Sequence, residues 1–247
     1  MPRFYTSQFL LPGTTLELAP SAARHIQVLR LQPGANVTLF NGLDAEEGEY
    51  SAVVHSMGRS SVSVVVGSFA KTQMEPVRQV HIAIGMPAND RMDWLVEKAT
   101  ELGVTSIAPL MTERSVLKLS GERLEKKWLH WQGVAIAACE QCGRSRVPVI
   151  HAPATLTAYL KMCRAQPQQT GHARQLLSLQ AGALALPESA AAHSHFTVLS
   201  GPEGGLSPGE EAAARDAGFS AMTLGARVLR SETAPLAVLA YLQMVGS

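Results

Sequence analysis

From Val80 onward short apolar runs alternate with helical patterns, and this alternation constrains the fold more than any other feature of the chain. "VHIAIGM" (80–86), "SIAPLM" (106–111), "VPVIH" (147–151), "RQLLSL" (174–179), "FTVLS" (196–200) and "SAMTL" (220–224) read as strands. Helical stretches run over 89–104, 122–142, 155–163 and 208–217, and a last one starts at Thr233. A strand that returns through a helix comes back parallel to its neighbour. The runs are continuously apolar, as strands covered on both faces must be. An α/β domain with a parallel sheet is therefore expected. In the first helix Met92, Leu95, Val96, Ala99 and Leu102 share a face, Asn89 or Asp90 suits the N-cap, and Gly103 suits the stop. The small, polar stretch 179–195 reads as a surface loop.

The first 70 residues have a different rhythm. "ANVTLF" (35–40), "GEYSAVVHSM" (48–57) and "SVSVVVGSF" (61–69) are short, β-branched and separated by turn residues, after one helix at 19–31. They predict a small β-barrel. The polar, Pro-containing stretch 71–79 makes a boundary, so the expected domains are 1–72 and 73–247. With 46% hydrophobic and 17% charged residues the composition is globular. No apolar run approaches the ~18–20 residues that span a bilayer, and no basic segment leading into a long apolar one suggests secretion. Three cysteines argue against a disulfide framework, which points to a reducing cytoplasm. A net charge of +1 does not announce a nucleic-acid binder, so any basic patch must come from clustering in space.

"SGPEGGLS" (200–207) leaves a strand and enters a helix, where a parallel sheet places its ligands. Ser207-Pro208-Gly209-Glu210 has the pattern of a capping box with Pro at N1. That cap uses the amides a phosphate would want, and Glu203 would repel an anion. No Lys follows the glycines, so neither a phosphate loop nor a G-x-G-x-x-G fingerprint is present. Taken alone, the loop reads equally well as a tight turn or a ligand site. A second loop, "LGARVLRSETAP" (224–235), also links a strand to a helix and carries Arg227, Arg230, Ser231, Glu232 and Thr233. As neighbouring strand ends, the two loops would form one pocket. The last helix is apolar almost all round, which predicts burial in a core or a subunit interface.

"LSGPEGGLS" with "LGARVLRSETAP" resembles the C-terminal signature of SPOUT methyltransferases, and more narrowly the 16S rRNA (uracil-1498-N3)-methyltransferase family. "RMDWLVEKATELGV" (91–104), "CEQCGRSRVP" (139–148) and "HIQVLRLQPG" (25–34) are similar to that family's motifs in the same order. The resemblance implies a SPOUT-type parallel sheet with a C-terminal trefoil knot and a small N-terminal PUA-like β-barrel. It further implies S-adenosylmethionine as cofactor, 16S rRNA of the small ribosomal subunit as substrate, and a homodimer with the last helix near its interface. Carried over by position, the cofactor would touch Leu199, Ser200, Gly201, Pro202, Glu203, Gly204 and Gly205. On the second loop it would touch Leu224, Gly225, Val228, Leu229, Arg230, Thr233 and Ala234. The chain departs from the family pattern at Arg24 before His25, at Cys142 and at Ser231. Two alternatives stand beside this reading: a SPOUT methyltransferase for another rRNA or tRNA site, and a non-catalytic RNA-binding module.

Uracil N3 must lose a weakly acidic proton before it can attack a methyl group. A cation near O2 or O4 would favour the anion, and Arg230 is the first candidate. Glu232 would accept the proton or orient Arg230, with Glu203 the alternative as base or cofactor contact; without a function, Arg230 and Glu232 would be an exposed ion pair at the start of the last helix. Candidate phosphate contacts are Arg144, Arg146, Arg114 and Lys98, with Arg3 and Arg24 on the barrel. Cys139-x-x-Cys142 sits at the far end of a helix, where the dipole does not favour a thiolate. His193-x-His195 lacks partners at ligand spacing, so no metal is expected. Trp94, Trp128 and Trp131 read as packing residues on helices.

Overall fold

The computed structural model describes residues 1–88, 90–116, 120–166, 170–180, 183–185 and 193–245. The chain forms two compact units, one of Met1–Glu75 with Ile136–Val147, the other of Pro76–Ala135 with Pro148–Ser247.

The first unit holds strands β1 (Arg3–Tyr5) and β2 (Thr15–Glu17), helix α1 (Pro20–Val28), and strands β3 (Asn36–Phe40), β4 (Gly48–Met57) and β5 (Val62–Lys71). The sheet runs β1-β3-β4-β5-β2, antiparallel except for the parallel β1–β3 pair. Along β4 burial alternates, with Tyr50, Ala52 and Val54 inward, and Val62, Val64 and Val66 of β5 face the same core. Register shifts at Tyr50/Ala52 and Val54/Ser56 bend the β4–β5 ribbon. The path ends on β1 and β2, which do not pair with each other among the described residues, so the sheet is curved but not closed by backbone bonds. Neither short strand was predicted from sequence, because three residues carry too little pattern.

The second unit starts with β6 (Gln79–Gly85), α2 (Arg91–Glu101) and β7 (Ser106–Met111). Helix α3 (Gly121–Cys142) follows, and its last turns, from Ile136, cluster with the first unit. Then come β8 (Val149–Ile150), β9 (Ala154–Thr155), α4 (Leu156–Ala165), β10 (His172–Leu177), β11 (Leu184–Ala185), β12 (His195–Ser200), α5 (Pro208–Asp216), β13 (Ser220–Thr223) and α6 (Thr233–Val245). The strand order is β11-β13-β10-β12-β6-β7-β8, with β9 also on β7, and every pair is parallel. Phe196–Ser200 of β12 and Ser106–Leu110 of β7 are buried without a break, as the apolar runs require. Two expectations change. The stretch 179–195 contains β11, which extends the sheet at its edge; residues 181, 182 and 186–192 lie outside the described residues. And β12 and β13 are not neighbours, because β10 lies between them.

Asp90 precedes α2 without a side-chain cap bond, and Asn89 lies outside the described residues. Asp93 of α2 accepts Trp131 Nε1 at 2.9 Å and lies 2.6 Å from His130 Nε2, locking α2 to α3. Trp131 is fully buried and Trp128 Nε1 donates to Ile150 O, whereas Trp94 is exposed. The thiol of buried Cys139 is pushed up to about 12 by burial. Arg174 has 7% exposure, and its Nη1 donates to Cys163 O (2.9 Å) and Ala217 O (3.1 Å). One guanidinium thus closes the carboxyl ends of both α4 and α5, where carbonyls lack helical partners and the dipole favours a cation. Arg78 does the same for α6 through Leu242 O at 2.8 Å.

Arg174→Met is expected to leave those carbonyls unpaired and to cost about 2–3 kcal/mol, read as a lower midpoint in chemical denaturation. His81 of β6, 2.8 Å from Ser106 Oγ, has its pKa lowered to about 4, first by burial and then by the nearby His172, His151 and His195. Its folded pKa lies below the unfolded value, so the unfolded chain binds the proton first. Stability from this source is complete above about pH 6.5 and falls as pH drops toward 4. Denaturation midpoints across that range should show the decline, and His81→Asn should flatten it.

Candidate functional site

The carboxyl ends of β10, β12 and β13 converge on one cleft. Leu177, Ser178 and Leu179 line it from β10, Ser200–Glu203 from β12, and Met222–Leu224 from β13. Arg227, Val228, Leu229, Ser231 and Ala234 close it from the last loop and the start of α6. It encloses about 630 Å³ of free space, part of it open to solvent. Among the described residues the walls are mostly aliphatic, with a few hydroxyls and one charge of each sign, the usual make-up of a small-molecule site.

The glycine loop is shaped by its own backbone. Gly205 N donates to Pro202 O at 2.8 Å, closing a turn, and Gly205 has φ +67°, where a side chain would be strained. At Gly201 an added Cβ would fall 2.7 Å from Gly205 C and Leu206 N, so only glycine lets the loop fold back and leave its backbone open to the cleft. The helix behind is closed off: Ser207 Oγ accepts Glu210 N and Glu210 Oε2 accepts Ser207 N, completing the capping box read from the sequence. Glu210 Oε1 also takes Glu113 N at 2.9 Å. Ser178 Oγ donates to buried Glu211 at 2.9 Å, which fixes the β10 wall to α5.

Of the residues assigned to the cofactor, the structure brings Ser200, Gly201, Pro202, Glu203, Leu224, Val228, Leu229 and Ala234 to the cleft. Leu199 points into the core, and Gly204, Gly205, Gly225 and Thr233 shape the loops and helix start without lining it. Arg230 and Glu232 are not brought together. Arg230 is exposed and outside the lining, with its carbonyl accepting Thr233 N and Ala234 N, while Glu232 is buried and accepts Ser231 Oγ at 3.1 Å. No ion pair joins them among the described residues.

The expected phosphate contacts divide in the same way. Arg144 is buried and pairs with Glu75 through Nε (3.0 Å) and Nη2 (2.8 Å), so its guanidinium serves the first unit's interior. Arg3 pairs with Glu49 and lies over the Phe40 ring. Arg114 Nη1 donates to Gly204 O (2.8 Å) and Leu206 O (3.3 Å), holding the glycine loop. Lys98 pairs with Glu101 and Glu97, which push its pKa up to about 12. Arg24 and Arg146 remain exposed. Sequence reasoning missed the β10 wall, Met222 and Thr223, and gave Arg227 and Ser231, named on the second loop, no contact with the cofactor. Only the position of β10 between β12 and β13 could have revealed that wall. Among the described residues no group of three or more His, Cys, Asp or Glu side chains is placed to hold a metal ion, and no helix is long and apolar enough to cross a membrane.

A family model described as an RNA methyltransferase domain matches residues 73–243, and one described as an RNA methyltransferase PUA domain matches 18–67. The chain is 33% identical to a ribosomal RNA small subunit methyltransferase E from Neisseria gonorrhoeae solved bound to S-adenosyl methionine; 99% of this chain and 98% of that one align, with TM-score 0.87. A putative methyltransferase from Legionella pneumophila, in complex with the same cofactor, aligns with 33% identity over 99% and 97% of the chains and TM-score 0.89. Ribosomal RNA small subunit methyltransferase E of Bacillus subtilis is 28% identical, covering 96% of this chain and 93% of its own.

Arg114→Ala should release the glycine loop at a cost of about 1 kcal/mol, seen as faster amide hydrogen exchange at Gly204–Leu206 with the rest of the sheet still protected.

Proposed function

The chain belongs to the ribosomal RNA small subunit methyltransferase E family, and from that premise we propose that it transfers a methyl group from S-adenosylmethionine to N3 of one uridine in 16S rRNA, acting in the cytoplasm as a homodimer. The observation that carries this reading is the cleft at three parallel strand ends, with a glycine backbone that no side chain could replace at Gly201. Its residues fit the cofactor. Aliphatic Leu177, Met222, Val228 and Leu229 suit an adenosyl group, and the hydroxyls of Ser200 and Thr223 suit its polar edges. Glu203 gives the lining a negative charge that suits a sulfonium cation, and Arg227 a positive one that suits a carboxylate. When bound, the cofactor supplies an electrophilic methyl group. The chain's own residues hold it, exclude water along the aliphatic wall and set its orientation, which is chiefly a proximity effect.

A homodimer is supported by α6. One face is buried through Leu236, Val238, Leu239 and Leu242, while Ala237, Tyr241 and Met244 form an exposed stripe at helical spacing. Exposed Arg24 and Arg146 support an RNA-facing first unit. The trefoil knot belongs to the same reading, supported by β10 having the later strands β12 and β13 on either side.

Calorimetry with S-adenosylmethionine should give saturable binding, and Gly201→Val should abolish it. Mapping of modified uridines in 16S rRNA, with and without the protein, should show one N3-methylated position gained. Absence of cofactor binding by the wild-type chain would reject the reading.

A further inference from the structure

Glu203 faces two ways. On one side it lines the cleft; on the other it borders a second depression lined by Ala88, Asp90, Arg91 and Val116. Its Oε1 accepts Ala88 N at 2.9 Å and Arg91 Nη1 at 3.2 Å. Arg91 is fixed at its backbone by the first turn of α2 and at its tip by this carboxylate, yet its side chain is 40% exposed. A guanidinium has five N–H donors in a rigid fork. Glu203 takes one, and no other side-chain partner of Arg91 occurs among the described residues.

From this juxtaposition, and resting on the methyltransferase reading above, we infer that the depression beside Glu203 receives the acceptor uracil, and that Arg91 is the cation that stabilises its N3 anion. The imide of uracil spreads the charge lost with the N3 proton over O2 and O4, and a planar fork of donors matches such a delocalised group better than a point charge does. Among the described residues the depression carries Asp90 and Glu203 against the one Arg91, which disfavours a phosphate as its occupant. A neutral base that becomes anionic only at Arg91 suits that balance. Arg230, the cation expected from sequence, is exposed and borders neither hollow.

The step balances without a further group. The N3 proton leaves to solvent hydroxide at the open mouth. The freed N3 electron pair forms the N–CH₃ bond, and the C–S bond breaks with its pair staying on sulfur. Arg91 neither gains nor loses a proton. Glu203, whose Oε1 already holds two donors, is a positioning residue that aims Arg91 across the shared wall.

The test uses a 16S rRNA fragment with uridine or 5-fluorouridine at the methylated position, since fluorine makes N3 more acidic. Arg91→Met is expected to slow methylation of the uridine fragment by about 100-fold while S-adenosylmethionine binding by calorimetry is unchanged. The 5-fluorouridine fragment should lose much less, and Arg91→Lys should recover part of the rate. In complexes with S-adenosylhomocysteine, the ¹⁹F resonance should report N3 ionisation at lower pH with wild-type protein than with Arg91→Met. Equal losses on both fragments, an unmoved ¹⁹F titration, or these signatures in Arg230→Met instead would overturn the assignment. Wild-type protein that fails to bind the cofactor or to methylate the fragment would overturn the underlying reading, and this inference with it.

Discussion

Every strand pair in the second unit is parallel, and this decides where polar chemistry can sit. Each strand spends its amides and carbonyls on its neighbours, and the helical crossovers cover both faces. Backbone groups free to meet a ligand remain only in the loops beyond the strand ends. With β10 between β12 and β13, three such loops meet at one edge. The start of α5, the helix end that would otherwise compete for polar partners there, is already closed by Ser207 and Glu210.

The glycine loop then acts by what it leaves out. A capped helix start and a carboxylate make a poor anion cradle, while bare backbone and a single negative charge suit a neutral or cationic group. Glu203 links that loop to α2 through Ala88 N and Arg91. The same side chain therefore borders both hollows, so a cofactor and an acceptor base would meet across one residue.

Much of this was legible along the chain. The long apolar strands, the face of α2 from Met92 to Ala99 and the capping box needed only local pattern, whereas Leu102, expected on that face, is the exposed residue that ends the helix. Three-residue β1 and β2 and the edge strand β11 were not legible, because pairing rather than propensity makes them strands. The arginines show the limit most clearly. Arg144, Arg114 and Arg230 look alike as sequence; the fold buries the first against Glu75, ties the second to Gly204 and leaves the third in solvent. A charge's role depends on what faces it, and that partner is 69 residues away for Arg144 and 90 for Arg114.

By itself the sequence determined the fold class, the two loops that line the cleft and, through resemblance, the family. Local periodicity and glycine spacing encode those features directly. Tertiary structure decided that β10 joins β12 and β13 in forming the cleft, that Arg230 and Glu232 stay apart, and that Arg91 meets Glu203 across 112 residues. Strand order and long-range pairing arise from the packing of the whole sheet, which no local stretch of chain records.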